Sequence, residues 1–523
     1  MRNMKRSNFL LCCLGMQERT SVALRAGLNQ HARLNSTLPG SDPALDTELL
    51  LQKFVNYEQQ GVPDNAGTNG KKGFDLVGLH KLLSALGQPQ AHMSAVHIAG
   101  TKGKGSTAAL LASMLTKSQI CTGLYTSPHI KTISERIVID GQQISEADFA
   151  DLAAQDASVM QQALQGTFGS LTHFEVLTSL AFRHFQRKQV QLAVVEAGLG
   201  GVADATNVFE PAQLACAVIT AIDNDHMSAL GGSIESIAEA KAGIMKPNRP
   251  VVIAKQPYPD ALQVLEQHAR QLNCQIIHPQ DCIELLPKVT VQEGSSMVQT
   301  VTAKPRGLSW MQPTELKLAL LGRHQLDNAA AAIAAADVVR EQGWQSISQD
   351  TVLQGLQQTA LPGRLQVIQA PSRQGSTNNW LVLDGAHTAQ SAAALAETVR
   401  ELFPERPVAL IVAMAGDKDH KAVMAALRAV RPAVVLFTSV DIAGSSQRSC
   451  SPGTLVAHWQ AAALSRPKGQ PRFRSRELIQ ASVAVAYQKA ESELEAQQNP
   501  DGGVIVVCGS LHAVADAQKI LDL

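Results

Sequence analysis

Short runs of Val, Ile, Leu and Ala alternate with longer segments of helical periodicity from about residue 96 onward in this 523-residue chain. This alternation restricts the fold, because strands separated by helices form parallel sheets that are covered on both faces. The predicted strands are Val96–Ala99, Gln191–Glu196, Cys216–Ala221, Pro250–Ala254, Leu381–Asp384, Val408–Ala413, Ala433–Thr438 and Val504–Cys508. The sequence therefore predicts an α/β protein.

These strands fall into two sets, separated by the turn-forming segment Leu361-Pro362-Gly363-Arg364. A chain of this length is too long for a single hydrophobic core, so two domains are expected. We predict a leader over residues 1–40, a first domain over 41–361 and a second over 362–523. Within the first domain, residues 280–318 have a different pattern, which predicts an antiparallel excursion.

Charge and cysteine content exclude several classes of protein. The 45 basic and 45 acidic residues give zero net charge, which argues against a nucleic-acid-binding face. No apolar run is long enough to span a membrane. The eight cysteines are scattered without a CxxC pair, which is typical of reduced thiols in a non-oxidising compartment. We expect a monomer that binds neither nucleic acid nor membrane.

The first forty residues differ from the rest of the chain. They contain six basic residues and one acid, Glu18, with Ser and Thr interspersed. A basic, acid-poor segment of this kind is typical of an organelle transit peptide. We expect import into the mitochondrial matrix, with a plastid as the second choice. A disordered basic tail, and with it a cytosolic location, is the alternative.

The segment from Val96 to Thr107 reads VHIAGTKGKGST, and a helix is predicted over Ala108–Lys117. Glycines between a strand and a helix let backbone N–H groups converge on an anion, and the helix dipole adds to that attraction. Lys104 supplies a charge for the outer phosphates of a nucleotide, and Ser106 or Thr107 supplies a hydroxyl near a metal. The similar string GTNGKKG at 67–73 follows no strand and predicts only a loop.

Polar side chains follow three further strands of the first set. Ser127 follows the strand-like run Cys121–Tyr125, Glu196 ends the predicted strand Gln191–Glu196, and His226 follows the predicted strand Cys216–Ala221. Ligands of open parallel sheets bind at such strand ends. One hydroxyl, one carboxylate and one imidazole form a mostly oxygen site, which suits Mg²⁺ better than zinc. Lys241 follows the His226 loop on a predicted helix, Glu239–Ile244.

Ten short motifs occur along residues 46–523: GTKGKGS, TSPHI, HFE, EAGLGGVADATN, DNDH, EAKAGIMKP, HQLDNAAAA, LPGR, LDGAH and CGSLH. Together they make this part of the chain resemble the folylpolyglutamate synthase and dihydrofolate synthase family, relatives of the cell-wall Mur ligases. The resemblance implies a P-loop ATPase domain built on a parallel sheet, followed by a smaller Rossmann-like domain. It also implies catalysis in the cleft between the two domains, with ATP as co-substrate and Mg²⁺ as cofactor.

The resemblance implies a role for each matching residue. By family position, Gly103, Lys104, Gly105 and Ser106 hold the ATP phosphates, while Asn328, Arg364 and Asp384 contact the nucleotide. Ser127, Glu196 and His226 ligate Mg²⁺, and Lys241 is carbamylated and reaches a second metal. His387 and Ser510 are associated with the incoming glutamate. The residues predicted to act in catalysis are Lys104, Lys241, His387 and Arg364.

The acceptor that receives glutamate is predicted to be dihydropteroate. The alternatives are a reduced folate, or both compounds. The segment from Phe74-Asp75-Leu76 to Pro89 resembles the form found in enzymes that use dihydropteroate. Asp75, Phe174, Asp204 and Ala205 match family positions near the pterin. Two departures from the bacterial pattern, Val202 and Thr388-Ala389, remove no catalytic group but leave the acceptor less certain.

Two other functions are alternatives. A cell-wall Mur ligase would use the same chemistry, but the chain has no evident nucleotide-sugar-binding domain before the phosphate loop. A nucleotide-binding scaffold without catalysis is the second alternative, and the joint presence of Lys104, Glu196, His226, Lys241 and Asp384 argues against it. Glutamate- and pterin-dependent ADP release distinguishes all three.

Overall fold

The structure, a computed structural model, describes residues 46–68, 74–224, 227–371, 378–464 and 473–523. The predicted leader and most of the GTNGKKG string therefore lie outside the described residues, as does His226. None of the described helices is both long and apolar enough to cross a membrane. The six cysteines in the described part of the chain are free thiols.

Two sheets and the helices around them make up the described chain. The first part comprises α1 (Thr47–Leu51), α2 (Tyr57–Gln60), α3 (Val77–Ala85), β1 (Ser94–Ala99), α4 (Lys104–Lys117), β2 (Thr122–Tyr125), β3 (Ile137–Ile139), β4 (Gln142–Gln143), α5 (Glu146–Asp151), α6 (Ala157–Leu164), α7 (His173–Arg187), β5 (Leu192–Glu196), β6 (Leu214–Ile219), α8 (Ile234–Ala242), β7 (Val251–Ile253), α9 (Pro259–Gln271), β8 (Ile276–Ile277) and α10 (Pro279–Cys282).

The second part comprises β9 (Ile283–Glu293), β10 (Ser296–Pro305), β11 (Thr314–Leu318), α11 (His324–Glu341), α12 (Gln349–Gln358), β12 (Gln366–Gln369), β13 (Trp380–Leu383), α13 (Ala389–Leu402), β14 (Val408–Val412), α14 (His420–Leu427), β15 (Val434–Phe437), α15 (Pro452–Leu464), β16 (Arg476–Ile479), α16 (Val483–Glu495), β17 (Val504–Cys508) and α17 (Leu511–Ile520). All eight predicted strands are present, and the α/β class is confirmed.

The first sheet has eight strands in the order β4-β3-β2-β5-β1-β6-β7-β8. From β2 to β8 all neighbours are parallel, and β1 pairs with β5 on one side and β6 on the other. One face packs against α4, α11 and α12, and the other packs against α3, α7 and α8. The strands are apolar throughout because helices bury both faces.

The second sheet has nine strands, ordered β11-β10-β12-β13-β17-β14-β15-β16, with β9 paired to β10. β13, β17, β14, β15 and β16 are parallel, whereas β9, β10 and β11 are antiparallel, so the predicted excursion over 280–318 is confirmed. A single residue pair, Ser296 with Ile368, joins this hairpin region to β12. Its buried face nevertheless packs into the core of the first sheet, through Val301, Ala303 and Leu316. A domain boundary at residue 362 stays a prediction.

Several predicted element bounds differ from the structure by a few residues, and two of these differences lie next to the phosphate loop. α4 begins at Lys104 rather than at Ala108, so the Lys-Gly-Ser-Thr part of the loop is already helical. β6 ends at Ile219 rather than at Ala221, because the Ala221 carbonyl turns to accept the N–H groups of Thr101 and Lys102. Both changes shape the phosphate loop.

Candidate active site

The phosphate loop runs from the end of β1 to the start of α4 and is closely packed at two glycines. Gly100 has φ +150°, and a Cβ there would lie 1.8 Å from Oγ1 of Thr220. Gly103 has φ +89°, and a Cβ there would lie 2.1 Å from Oδ1 of Asn328. Only glycine fits such positions, so the loop is held between the end of β6 and the first turn of α11.

The loop lysine faces a buried carboxylate. Nζ of Lys104 lies 3.8 Å from Oε1 of Glu196, which is the last residue of β5, the neighbour of β1, and is 4% exposed. Oε2 of Glu196 accepts a hydrogen bond of 3.2 Å from the Ser127 backbone N–H. Burial raises the pKa of Glu196, although Lys104 and the Ser127 N–H oppose that shift. Three sequence-predicted site residues thus meet at one point, as their strand-end positions predicted.

The oxygen atoms of these residues are suitable ligands for a divalent cation. The buried Glu196 carboxylate and the half-buried Ser127 provide hard oxygen ligands beside the phosphate loop. Within the described ranges, no group of three His, Cys, Asp or Glu residues could hold a metal on its own. Mg²⁺ needs no such cage, since it keeps several waters and takes ligands from substrate phosphates. These residues therefore fit Mg²⁺, while the predicted ligand His226 lies outside the described residues.

Lys241 lies on α8 and is only 4% exposed, so it is not on the solvent side of that helix. It lines a small cavity of about 50 Å³ together with Lys104 and the loop Gly198–Gly200. An amine in this position is close enough to the phosphate loop to serve the same site. Its predicted carbamylation stays a prediction.

Aromatic and polar groups line the side of the cleft assigned to the pterin. The ring of Phe174 stacks on Tyr125 with centroids 6.0 Å apart, and a Cβ on Gly198 would lie 2.8 Å from the Phe174 ring. Asp204 is buried and accepts hydrogen bonds from the N–H of Leu199 and from the N–H and hydroxyl of Thr206. Asp204 therefore shapes the loop that forms this wall.

Asp75 has a different environment from the other predicted substrate residues. It is exposed, and its Oδ1 accepts a 2.9 Å hydrogen bond from the N–H of Val77 at the start of α3. Its neighbours Phe74 and Leu76 line the cleft, and Asp75 does not. A role for Asp75 in substrate binding stays a prediction, and the local geometry favours Phe74 at this place.

The second sheet contributes charged and polar groups from the ends of β13 and β17. Asp384 accepts hydrogen bonds from the N–H groups of Leu365 (2.7 Å) and Ala386 (2.8 Å). Desolvation raises the pKa of Asp384, against the attraction of Arg364. The Gly385 carbonyl can only accept, so Nδ1 of His387, 2.8 Å away, carries the proton, and Nε2 is the acceptor nitrogen of the ring.

Ser510 is the N-cap of α17, and its hydroxyl accepts a 3.1 Å hydrogen bond from the Ala513 N–H. It is 7% exposed, yet it lies at the cleft next to Gly509 and Leu511. Capping accounts for its residue type, because Ser is a preferred N-cap. Its association with glutamate stays a prediction.

One cleft of about 1990 Å³ brings the two groups of residues together. The sequence-predicted residues that line it are Gly103, Lys104, Gly105, Ser106, Ser127, Phe174, Glu196, Asp204, Ala205, Asn328, Arg364, Asp384, His387 and Ser510. Sequence reasoning missed Glu58 and Arg136, which also line the cleft and form a bidentate ion pair. They are 78 residues apart, and no pattern in the sequence links them.

Two protein-family models match the sequence of this chain, one after the other. The Mur ligase middle domain matches residues 98–336, and the Mur ligase, glutamate ligase domain matches residues 363–511. Together the two models cover well over half of the chain, and they define a ligase of the Mur superfamily. The chain belongs to the dihydrofolate synthase/folylpolyglutamate synthase family of that superfamily, as its similarity to individual proteins shows. Membership makes it an ADP-forming acid–amino-acid ligase.

Three comparisons illustrate this similarity. The Bacillus subtilis protein named dihydrofolate synthase/folylpolyglutamate synthase is 33% identical over 369 residues, covering 70% of this chain and 81% of its own. A Schizosaccharomyces pombe protein named as a probable dihydrofolate synthetase is 30% identical over 446 residues, covering 85% and 97% respectively. The Mycobacterium tuberculosis folylpolyglutamate synthase, solved with ADP and AMPPCP, has a TM-score of 0.71 and 29% identity, covering 86% of this chain and 96% of its own.

Proposed function

We propose that this ligase activates the carboxylate of dihydropteroate as an acyl phosphate and couples it to L-glutamate, giving dihydrofolate. The observation that carries the proposal is the single cleft shared by the phosphate-loop residues Lys104 and Glu196 and by the second-sheet residues Arg364, Asp384 and His387. A two-step ligation needs the nucleotide, the acceptor and the amine in one enclosed space, because the intermediate is hydrolysed by water.

In the first step, a carboxylate oxygen of the acceptor attacks the γ-phosphorus of ATP, and ADP leaves. Attack of one anion on another requires positive charge, which Lys104 and Arg364 supply. Glu196 and Ser127, with His226 and a carbamylated Lys241, would hold Mg²⁺, whose charge offsets that of the phosphates. Asn328 approaches Gly103 and would keep the loop in register with the nucleotide.

In the second step, the amine of glutamate attacks the acyl carbon, and inorganic phosphate leaves. The amine must first lose a proton, since an ammonium has no lone pair. His387 suits this role, because its Nδ1 is fixed as a donor to the Gly385 carbonyl and Nε2 is the acceptor nitrogen. Ser510 lies at the same wall of the cleft and would contact the glutamate.

A pterin requires a flat apolar surface together with hydrogen-bonding groups. Phe174, stacked on Tyr125, and Phe74 supply aromatic surface along the cleft. The loop at Asp204 and Ala205 supplies polar backbone and carboxylate groups beside it. Both the stacking surface and the polar loop support a pteroyl acceptor.

Extension of a folate by further glutamates is the second candidate. Lys131, Lys418 and Lys519 also line the cleft, and these ammonium groups would attract a carboxylate-rich tail. A side-by-side assay of the leader-free protein with ATP, glutamate and either dihydropteroate or tetrahydrofolate monoglutamate separates the two functions. Product from dihydropteroate is expected. Efficient extension of tetrahydrofolate with no dihydropteroate product would overturn the choice of acceptor, and activity on both would define a bifunctional enzyme.

We also propose that the basic leader, residues 1–40, directs import into mitochondria. Its six basic residues and single acid support this. A fluorescent fusion of the leader should co-localise with a mitochondrial marker. An even cytosolic distribution would contradict the proposal, and a plastid distribution would favour the alternative organelle.

A further inference from the structure

The short helix α2 connects residues from both parts of the chain. Arg448, in the segment between β15 and α15, donates hydrogen bonds from Nη1 to the backbone carbonyls of Glu58 and, at 3.2 Å, of Gln59. α2 has only four residues, so these carbonyls have no intrahelical partners. A cation from the second sheet's side of the cleft thus caps a helix on the first sheet's side.

The side chain of Glu58 extends this contact to Arg136. Its carboxylate receives two hydrogen bonds from Arg136, at 2.8 Å from Nη1 and 2.6 Å from Nη2. The Arg136 side chain is 1% exposed, whereas that of Glu58 is 40% exposed because it faces the open cleft. Burial opposes ionisation of Glu58, yet the contact with Arg136 outweighs it and lowers the pKa of Glu58. A buried guanidinium is costly without its carboxylate, so this ion pair fixes α2 relative to Arg136.

Arg136 in turn orients a histidine next to the predicted metal ligand. Its Nε donates a 3.0 Å hydrogen bond to Nδ1 of His129. The guanidinium has no acceptor, so Nδ1 is unprotonated and the ring proton is on Nε2. His129 is two residues from Ser127, whose N–H binds the Glu196 carboxylate beside Lys104.

We propose that Arg448 is a positioning residue for the ligation. By capping α2 it fixes Glu58, Arg136 and His129. When the two sides of the cleft are in contact, these residues align the Ser127–Glu196 end of the phosphate site. The chain of contacts is continuous from the second sheet to the phosphate loop. It uses charged hydrogen bonds, which are directional and strong when partly enclosed. This inference rests on the proposed function, since it assigns a role within that reaction.

Loss of the Arg448 contact has a specific chemical consequence. If the cleft closes without correct alignment, the acyl phosphate still forms, but water hydrolyses part of it before glutamate attacks. ADP is then released without an amide product. A residue that merely stabilised the fold would lower the rate without changing the ratio of ADP to product.

The test measures ADP and amide product in parallel for wild type, Arg448→Ala, Arg448→Lys and Glu58→Gln, with thermal unfolding as a check of folding. The matched control is Arg476→Ala, which removes an exposed arginine of the same sheet that pairs with Glu493 at 2.7 Å. We expect Arg448→Ala and Glu58→Gln to lower kcat about tenfold, as misplacement of reacting groups does. Both should release clearly more than one ADP per product, with the Michaelis constant for ATP changed less than twofold.

Arg448→Lys should recover part of the coupling, because an ammonium can still donate to one carbonyl, and Arg476→Ala should match wild type. Wild-type rate and one-to-one coupling in Arg448→Ala would overturn the inference, as would a lowered rate with unchanged coupling in both Arg448→Ala and Glu58→Gln. Absence of glutamate-dependent product in the wild-type protein would instead contradict the proposed function. The two failures are therefore distinguishable.

Discussion

Nζ of Lys104 lies 3.8 Å from Oε1 of Glu196, so the cation of the phosphate loop and the buried carboxylate at the end of β5 form an ion pair. The pair joins two parts of the chain that the sequence places 92 residues apart, at adjacent strands β1 and β5. Oε2 of the same carboxylate holds the Ser127 N–H. A single carboxylate thus orients both the phosphate loop and the TSPHI loop.

Replacing Lys104 should remove most of the activity with little change in the fold. Its side chain is 17% exposed and faces the cleft rather than the core, so Lys104→Ala should unfold at nearly the wild-type temperature. Loss of one charge-stabilising group typically lowers the rate by about 10²–10³. Lys117→Ala, at the other end of α4, is the control and should retain activity. Turnover within threefold of wild type in Lys104→Ala would show that this lysine does not serve the phosphates.

Gly103→Ala tests whether the close approach to Asn328 is needed. The new Cβ would lie 2.1 Å from Asn328 Oδ1, so the loop or the Asn328 side chain must shift, and we expect at least a tenfold loss of ATP affinity, measured by calorimetry. A shift of about 1.4 kcal/mol suffices for that loss. Gly141→Ala is the matched control, because Gly141 has a similar φ of +79° with nothing within 4 Å of its Cβ position. It isolates the backbone strain from the collision. Equal, unchanged ATP affinity in both variants would contradict the packing described for the loop.

His97 predicts a specific loss of stability in acid. The ring is fully buried on β1, its Nε2 is 2.7 Å from Thr206 Oγ1, and burial lowers its pKa to about 3. A lowered pKa means that the unfolded chain binds more protons below about pH 6.5, so stability falls as the pH drops from there toward 3. One histidine contributes a slope of up to about 1.4 kcal/mol per pH unit.

The measurement is the free energy of unfolding in urea at several pH values between 7.5 and 4.5. His97→Gln should show a shallower decline in acid than wild type, since glutamine does not titrate. The control His92→Gln replaces an exposed histidine and should keep the wild-type slope. An unchanged slope in His97→Gln would mean that His97 is protonated equally in both states.

Lys241 is expected to act as its carbamate. Carbon dioxide adds to the ε-amine with loss of a proton, which converts a cation into an oxygen ligand suited to Mg²⁺. Lys241→Ala should be inactive, and formate or acetate should restore part of the activity by supplying a carboxylate in the small cavity beside Lys104. The same salts should not restore Lys104→Ala, where the missing group is a cation. Wild-type activity in Lys241→Ala would refute this role.

The sequence predicted those parts of the protein that depend on local order. The phosphate loop and the sheet strands were recognisable because glycines, a lysine and apolar runs follow one another directly along the chain. The site residues at strand ends were also predictable, since parallel strands end at one edge of a sheet. Ser127 and Glu196 meet for that reason.

Contacts between distant segments were not predictable in this way. The Glu58–Arg136 pair joins a four-residue helix to the segment before β3, and neither residue has a periodic or spacing signal. The structure places Phe74 rather than Asp75 along the cleft, because chain position alone does not tell which residue before a helix turns inward. The early end of β6 follows from the Ala221 carbonyl bonding to the phosphate loop, which is likewise a tertiary effect.

We propose that the cleft makes an acyl phosphate from a pteroyl carboxylate and ATP. Hydroxylamine offered in place of glutamate tests it most directly, because its nitrogen attacks the acyl carbon, expels phosphate and leaves a stable hydroxamate. With dihydropteroate and ATP, the leader-free protein should form one hydroxamate for each ADP released, and Lys104→Ala should form almost none. ADP release with no hydroxamate, or release that is independent of the pteroyl acceptor, would contradict the claim.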